Sequence, residues 1–157
     1  MHRILSTLTA LALLIASPAL AEAAAQGWGP RVGLTSGPDQ VIFGAHFDFG
    51  HLGRDLDFRP NVHLGVGDNI TTLSAAGDVF YRFSLSETSW RPYAGGSLGL
   101  LYMNFDSQFV DSSRSDLQLM VLGGLEGRLP GGTRMLVELK FELVDAPDLT
   151  LLTGWTF

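Results

Sequence analysis

The chain has 157 residues, of which 46% are hydrophobic and only 17% are charged, so it has the size of one folded domain and not the composition of a disordered chain. Its formal net charge is −6, and it contains no block of like charge that could grip a nucleic acid or an anionic lipid surface. Because cysteine is absent, the chain has neither a disulfide framework nor a thiolate site. We therefore expect one domain and no nucleic-acid partner.

The first 21 residues have the pattern of a secretory signal peptide. A basic start that includes Arg3 precedes an apolar run from Ile4 to Ala16, and Ala19 and Ala21 supply the small residues of a cleavage site. This apolar run, about 13 residues long, is shorter than the roughly 20 that a membrane-spanning helix needs. We predict a signal peptide over residues 1–21 and a mature domain over residues 22–157, with residues 23–25 offering a second cleavage position.

Alternation of apolar and polar residues is the main structural signal in the mature chain. From Met135 to Leu143 every odd position is apolar, whereas Glu138, Lys140 and Glu142 occupy the even positions. A period of two places the two sets on opposite faces of a β-strand.

Eight segments separated by turn residues each have one face without charge. They are residues 28–34, 41–49, 56–66, 70–83, 91–102, 117–129, 135–143 and 149–157. Consecutive antiparallel hairpins suit this spacing, and an even number of strands leaves both chain ends on the same side. We predict an all-β fold, a closed antiparallel up-and-down transmembrane barrel of eight strands.

The other face of these segments is ionic and rich in glycine, and its positive and negative charges are balanced. A narrow lumen has room for few bulky groups, and charges withdrawn from water need opposite partners. Asp57, Asp78 and Arg91 lie on this face. The polar network predicted for the lumen consists of Arg31, His46, Asp48, Arg59, His63, Arg82, Glu126, Arg128, Glu138, Lys140 and Glu142.

A soluble lipocalin-like barrel also alternates, with its apolar face inside. Segments that approach the 9 to 11 residues of a tilted membrane strand favour the membrane barrel, and so does an aromatic girdle at the end that holds the termini. The girdle is predicted from Trp28, Tyr81, Trp90, Trp155 and Phe157. Aromatic core anchors are the alternative interpretation of these residues.

Two segments resemble the strands of small bacterial outer-membrane barrels of OmpA type. The ending LTLLTGWTF over residues 149–157 is similar to their last strand, and RPYAGGSLGL over residues 91–100, preceded by VFYRF over residues 79–83, resembles a glycine-rich strand pair of these domains. The resemblance implies a location in the outer membrane of a Gram-negative cell, contact with its lipid, and recognition of the strand ending in Phe157 by the barrel-assembly machinery. Only residues 104–115 form a long outer loop, which argues against a role as an adhesin or receptor.

Two candidate chemical sites have simpler structural explanations. His46, Asp48 and His63 could form a hydrolytic site with a nearby serine, but Ser97 in GGSLG lies within a strand and lacks the strand-to-helix turn of that motif. Asp106, Asp111 and Asp116 could attract Ca²⁺, but their spacing is not that of an EF-hand.

We therefore expect a non-enzymatic, porin-like outer-membrane barrel with a structural or small-ligand-binding role, without a cofactor or a metal. Three alternatives stay open. They are a narrow channel, a lipid-acting enzyme, and a soluble lipocalin-like barrel that binds an apolar ligand.

Overall fold

The computed structural model describes residues 26–52, 55–85, 88–105, 112–144 and 148–157. The predicted signal peptide, Asp106 and Asp111 lie outside these residues. No helix in the described part of the chain is long and apolar enough to cross a membrane.

In the described part of the chain, nine strands form one antiparallel sheet. They are β1 Gly27–Ser36, β2 Gln40–Asp48, β3 Gly50–His51, β4 Leu56–Gly67, β5 Ile70–Arg82, β6 Trp90–Phe105, β7 Ser112–Arg128, β8 Arg134–Glu142 and β9 Leu149–Thr156.

Pairing between the first and last strands closes the sheet. Apart from β2 and β3, consecutive strands pair with each other, β1 also pairs with β9, and β2 pairs with β4 directly. Since β3 only continues β2 along the same edge of β4, the wall has eight strands, which confirms the predicted up-and-down barrel. We call the end that carries residues 27 and 156 the terminal end and the opposite end the far end.

A β-bulge at Phe49 separates β2 from β3. His46 lies opposite Asn61 and Gly50 lies opposite Phe58, so this wall strand has one more residue than β4 over the same stretch. Gly50 has a φ of 70°, in the left-handed region that glycine adopts at little cost. Its amide donates a hydrogen bond of 3.0 Å to the Asp48 carboxylate, which holds that side chain at the terminal mouth of the barrel.

The apolar face predicted from the sequence lies on the outside of the barrel, and the ionic face lies on the inside. Leu139 is 49% exposed, whereas Glu138 and Lys140 on either side of it are 1% and 3% exposed. Large apolar side chains are likewise exposed on every wall strand, whereas the buried interior includes many charged residues. This surface suits hydrocarbon and would be costly in water, so the arrangement is the reverse of a soluble barrel.

Strands β6 and β7 are longer than predicted. Residues 104–105 and 112–115 belong to the strands, with Phe105 opposite Ser112, so both ends of the long outer loop predicted over residues 104–115 lie in strands. The polar residues of this stretch continue the cross-strand ladder beyond the apolar segments, where hydrophobic alternation gives no signal.

A charged substitution on the exterior tests whether the apolar face of the strands contacts membrane lipid. Leu139→Arg should lower the free energy of unfolding by about 2–4 kcal/mol, because it puts a cation into the apolar part of a bilayer. Urea titration of the barrel in phospholipid vesicles measures this change.

Leu85→Arg is the matched control, since Leu85 is also exposed but follows β5 at the terminal end. It should cost about 0–1 kcal/mol, as expected near a membrane interface. Equal losses at the two positions would contradict the membrane-facing exterior.

Candidate functional site

The interior at the terminal end is occupied by interlocked ion pairs. Arg82 lies 2.9 Å from Asp48 and 2.8 Å from Asp57 through its two terminal nitrogens. Arg134 shares Asp48 at 2.9 Å and reaches Glu126 at 3.3 Å. Asp48 on β2 thus pairs across the lumen with arginines on β5 and β8, and each of these arginines also pairs with an acid on its neighbouring strand.

Arg59 lies at the centre of the interior and is fully buried. Its guanidinium is 2.7 Å from Glu126 and lies over the ring of Phe80, 4.4 Å from the centroid, with the Tyr93 ring at 5.3 Å. The two rings pack at 5.0 Å. A cation between a carboxylate and aromatic faces is stabilised by both, which offsets part of its loss of hydration.

A second group of ion pairs lies further towards the far end. Lys140 is 2.6 Å from Asp78, and Arg31 is 3.5 Å from Asp78 and 3.3 Å from Glu138. The Tyr93 hydroxyl donates a hydrogen bond of 2.8 Å to the second oxygen of Glu138. Because Glu138 also lies 3.7 Å from Arg59, the two groups of ion pairs are continuous.

We call this connected set the lumen network. Its members are the bases Arg31, Arg59, Arg82, Arg134 and Lys140 and the acids Asp48, Asp57, Asp78, Glu126 and Glu138. Five positive charges meet five negative ones, and even the most exposed side chain, that of Arg134, is only 17% exposed. Such charges are tolerated away from water only when each has partners, so the network behaves as one unit.

Glycines on the inner wall make room for this network. A Cβ at Gly124 would lie 2.6 Å from the Tyr93 ring, and one at Gly95 would lie 2.6 Å from the Cβ of Phe80. Since atoms cannot approach so closely, any larger residue would displace the rings that flank Arg59. The glycine-rich inner face thus follows from the size of the side chains opposite it.

A cavity of about 400 Å³ occupies the far half of the lumen. Lys140 lines it, so the lumen network forms one boundary, while Pro38 and Asp148 in the far-end turns line it near the mouth. The remaining lining combines amides, hydroxyls and apolar side chains such as Met103 and Leu152 with the charged residues Arg114, Asp116 and Glu142. The interior therefore changes along the barrel axis, from a dense network of ion pairs at the terminal end to a cavity with a mixed polar, apolar and charged lining at the far end.

The terminal mouth forms a shallow recess lined by several arginines, among them Arg91 and Arg128. The structure differs here from the sequence prediction. Arg128 is exposed and makes no ion pair with the described residues, so it is not a member of the lumen network. It lies on the predicted face but at the last residue of β7, where the lumen opens to solvent and the side chain keeps its hydration.

The other predicted network residues point inwards but have different roles. Arg31, Asp48, Arg59, Arg82, Glu126, Glu138 and Lys140 form ion pairs in the lumen network. His46 is buried, with its Nε2 2.8 Å from the Thr156 hydroxyl, and thus links β2 to β9. His63 and Glu142 line the far cavity, where Glu142 accepts a hydrogen bond of 3.1 Å from Gln118.

Sequence reasoning missed Arg134 and Tyr93. Arg134 lies one residue before the segment predicted for its strand, although its even number matches the inward parity of Glu138. Tyr93 lies between Pro92 and Ala94 of the outward face, so parity could have identified it as inward. Its hydrogen bond to Glu138 crosses β7 at Gly124, which pairs with both residues, and depends on the register of three strands, for which the sequence has no local signal.

The described residues give the hydrolytic site no support, and two residues of the calcium alternative, Asp106 and Asp111, lie outside them. Ser97 is 2% exposed and faces the lumen next to Asp78 on the paired strand, away from the exterior surface that lipid would reach. Asp116 pairs with Arg114 at 2.7 Å. Within the described ranges there is no group of three or more His, Cys, Asp or Glu residues that could hold a metal ion.

Solved structures with the same fold are small barrels of bacterial outer membranes. Neisserial surface protein A superposes with a TM-score of 0.65 at 14% identity, over 83% of this chain and 93% of that one. The N-terminal β-barrel domain of Pseudomonas aeruginosa OprF gives 0.60 at 14% identity, over 85% and 98%. The outer membrane enzyme PagL gives 0.54 at 14% identity, over 83% and 98%.

No protein-family model matches the chain, and no curated protein matches it in sequence. The likeness in structure therefore establishes the fold, a closed antiparallel barrel of eight strands like those of these small outer-membrane proteins. The apolar exterior and the ionic interior agree with that fold and with the outer-membrane location predicted from the sequence.

Arg134 and Arg128 form a matched pair for testing the network, because they lie opposite each other on β8 and β7. Arg134→Ala should lower the free energy of unfolding by about 1–3 kcal/mol, since it removes hydrogen bonds to two carboxylates in the interior. Arg128→Ala should change it by no more than about 0.5 kcal/mol, as is usual for an exposed side chain.

Both variants can be compared by urea titration in the same vesicles. A loss at Arg128 as large as that at Arg134 would show that Arg128 belongs to the network after all.

Proposed function

We propose that this protein is a non-catalytic, non-conducting outer-membrane barrel that binds a small ligand in the far half of its lumen. The observation that carries the proposal is the division of the interior, with paired charges at one end and an open polar cavity at the other. The cavity falls within the range of about 300 to 1,000 Å³ that is typical of small-molecule sites.

The lumen network argues against the channel alternative. An eight-stranded barrel leaves space that side chains largely fill, and here that space contains Arg59, Phe80 and Tyr93 in mutual contact. An ion crossing this region would have to displace several ion pairs at once. We therefore infer that the resting barrel is closed.

Two further alternatives have less support. A lipid-acting enzyme needs a reactive group that lipid can reach, whereas Ser97, His46 and His63 are all buried inside the barrel. PagL, an outer membrane enzyme, shares the fold at 14% identity, which does not bear on activity here. A lipocalin-like site for an apolar ligand would need an apolar interior, and this one contains the charged network.

We also propose that the terminal end faces the periplasm and is surrounded by an aromatic girdle. Trp28, Tyr81, Trp90 and Phe157 are all exposed near that end, and the Trp28 and Phe157 rings lie 6.4 Å apart. Trp155 belongs to the same group and is partly exposed. Aromatic rings with a polar edge are favoured where hydrocarbon meets headgroups.

Trp fluorescence in vesicles containing brominated lipids tests the girdle. Bromine near the headgroups should quench the emission more strongly than bromine at the chain ends, because all three Trp side chains would lie near the interface. Stronger quenching from the chain ends would contradict the proposed depth. Trp28→Phe and Trp90→Phe variants identify which residue contributes.

The last strand is proposed as the segment that the barrel-assembly machinery recognises. Phe157 lies at its end, where its amide donates a hydrogen bond of 2.9 Å to the Trp28 carbonyl and closes the barrel against β1. The proposal includes removal of residues 1–21 as a signal peptide during export, since assembly in the outer membrane requires passage through the inner one.

Conductance in planar bilayers tests whether the lumen is closed. The native barrel should show no stable single-channel steps, because the lumen network occupies the path. The double variant Arg59→Ala with Glu138→Ala removes one base and one acid from the centre, keeps the net charge, and should produce a measurable conductance.

Heat-modifiable gel migration shows whether the double variant folds. Sustained conductance of the native barrel would overturn the closed lumen, and a folded double variant that stays silent would show that the lumen network is not what closes it.

A further inference from the structure

The far cavity contains buried polar atoms without partners, and these define the chemistry of a ligand. Asn61, His63 and Gln118 line the cavity and are each at least nine-tenths buried. The Oδ1 of Asn61, the Nε2 of His63 and the Oε1 of Gln118 make no hydrogen bond within the described part of the chain. Buried polar groups are nearly always satisfied by some partner, so three such atoms around one cavity indicate a site.

The two amides present their oxygens because their nitrogens are already engaged. The Asn61 Nδ2 donates to the Arg59 carbonyl at 3.2 Å, and the Gln118 Nε2 donates to Glu142 at 3.1 Å. The remaining oxygens are hydrogen-bond acceptors, whereas His63 can donate or accept according to its tautomer. A ligand at this site must therefore supply several donors, from both sides of the cavity, since Asn61 and Gln118 belong to β4 and β7.

The charges around the cavity favour a neutral ligand. Lys140 is engaged by Asp78 at 2.6 Å, and Arg114 is engaged by Asp116 at 2.7 Å. Partial burial raises the pKa of the Asp148 carboxyl at the mouth. A cation would meet Lys140 at the inner boundary of the cavity, and an anion would meet Glu142 and Asp148.

Apolar side chains complete the lining, with Met103, Met120 and Leu152 among them. A sugar ring has hydroxyl donors around its edge and C–H groups on its faces, so it matches both kinds of lining. Resting on the proposed ligand-binding function, we propose that the far cavity is a binding site for a neutral saccharide of about monosaccharide size, entering from the far end and held by Asn61, His63 and Gln118.

Methyl NMR of the mature barrel in lipid nanodiscs tests this site. D-glucose, D-galactose and N-acetyl-D-glucosamine are the neutral probes, and choline and inorganic phosphate are the charged ones. At least one sugar should shift the Met103 and Met120 methyl signals in a saturable manner, whereas choline and phosphate should not.

Asn61→Leu and Gln118→Leu each remove an acceptor and should weaken binding about tenfold, as expected for the loss of one well-placed hydrogen bond. Gln26→Leu is the matched control, because Gln26 lines the recess at the opposite mouth and should leave the affinity unchanged. Heat-modifiable migration shows whether each variant is folded. Because there are two acceptor variants, the test can still be made if one of them does not fold.

The proposal is overturned if no sugar gives a saturable shift, if choline or phosphate binds more tightly than every sugar, or if both acceptor variants bind like the native barrel. A barrel that fractionates with the outer membrane and shows no conductance, yet binds no sugar, would refute the saccharide site and leave the closed barrel intact. A conducting or soluble protein would instead refute the proposed function itself.

Discussion

The structure depends on the pairing of charges that the narrow lumen withdraws from water. Once the exterior is apolar, every inward charge must find a partner across the interior, and the described network supplies five bases for five acids. Pairing of this kind contributes little net stability by itself, but leaving any member alone is costly. The constraint therefore specifies the closure of the barrel, because Arg31 on β1 meets Asp78 on β5 only when the wall is complete.

Closure in turn explains the glycines and aromatics of the interior. Ion pairs that converge from several strands need space at the centre, and glycines such as Gly95 and Gly124 provide it on the wall. Phe80 and Tyr93 fill the remaining volume and place polarisable faces against Arg59. Packing and electrostatics thus favour the same arrangement of the inner side chains, in which the size of each inner residue is matched to the side chain opposite it.

Parity along the strands predicted which residues face the lumen, and this is why the fold could be inferred from the sequence. Residues such as Glu138 and Lys140 follow directly from a period of two. Their partners could not be inferred, because pairing across a closed barrel depends on the stagger of strands that are distant in the chain. Arg128 shows the same limit, since its parity is correct but its height in the barrel places it in solvent. The far cavity is a volume between strands and has no counterpart in any local pattern.

The gradient along the barrel axis links these features to function. Inward residues form a dense ionic network up to Lys140 and Asp78, and beyond them amides and hydroxyls such as Gln40, Thr72 and Gln118 lie among fewer charged residues. If the whole lumen were ionic, it would be filled by paired side chains, and if it were neutral throughout, no interactions between charges would close it. With both halves present, a molecule that enters at the far end is stopped by the lumen network, so the interior can bind a small molecule without transporting it.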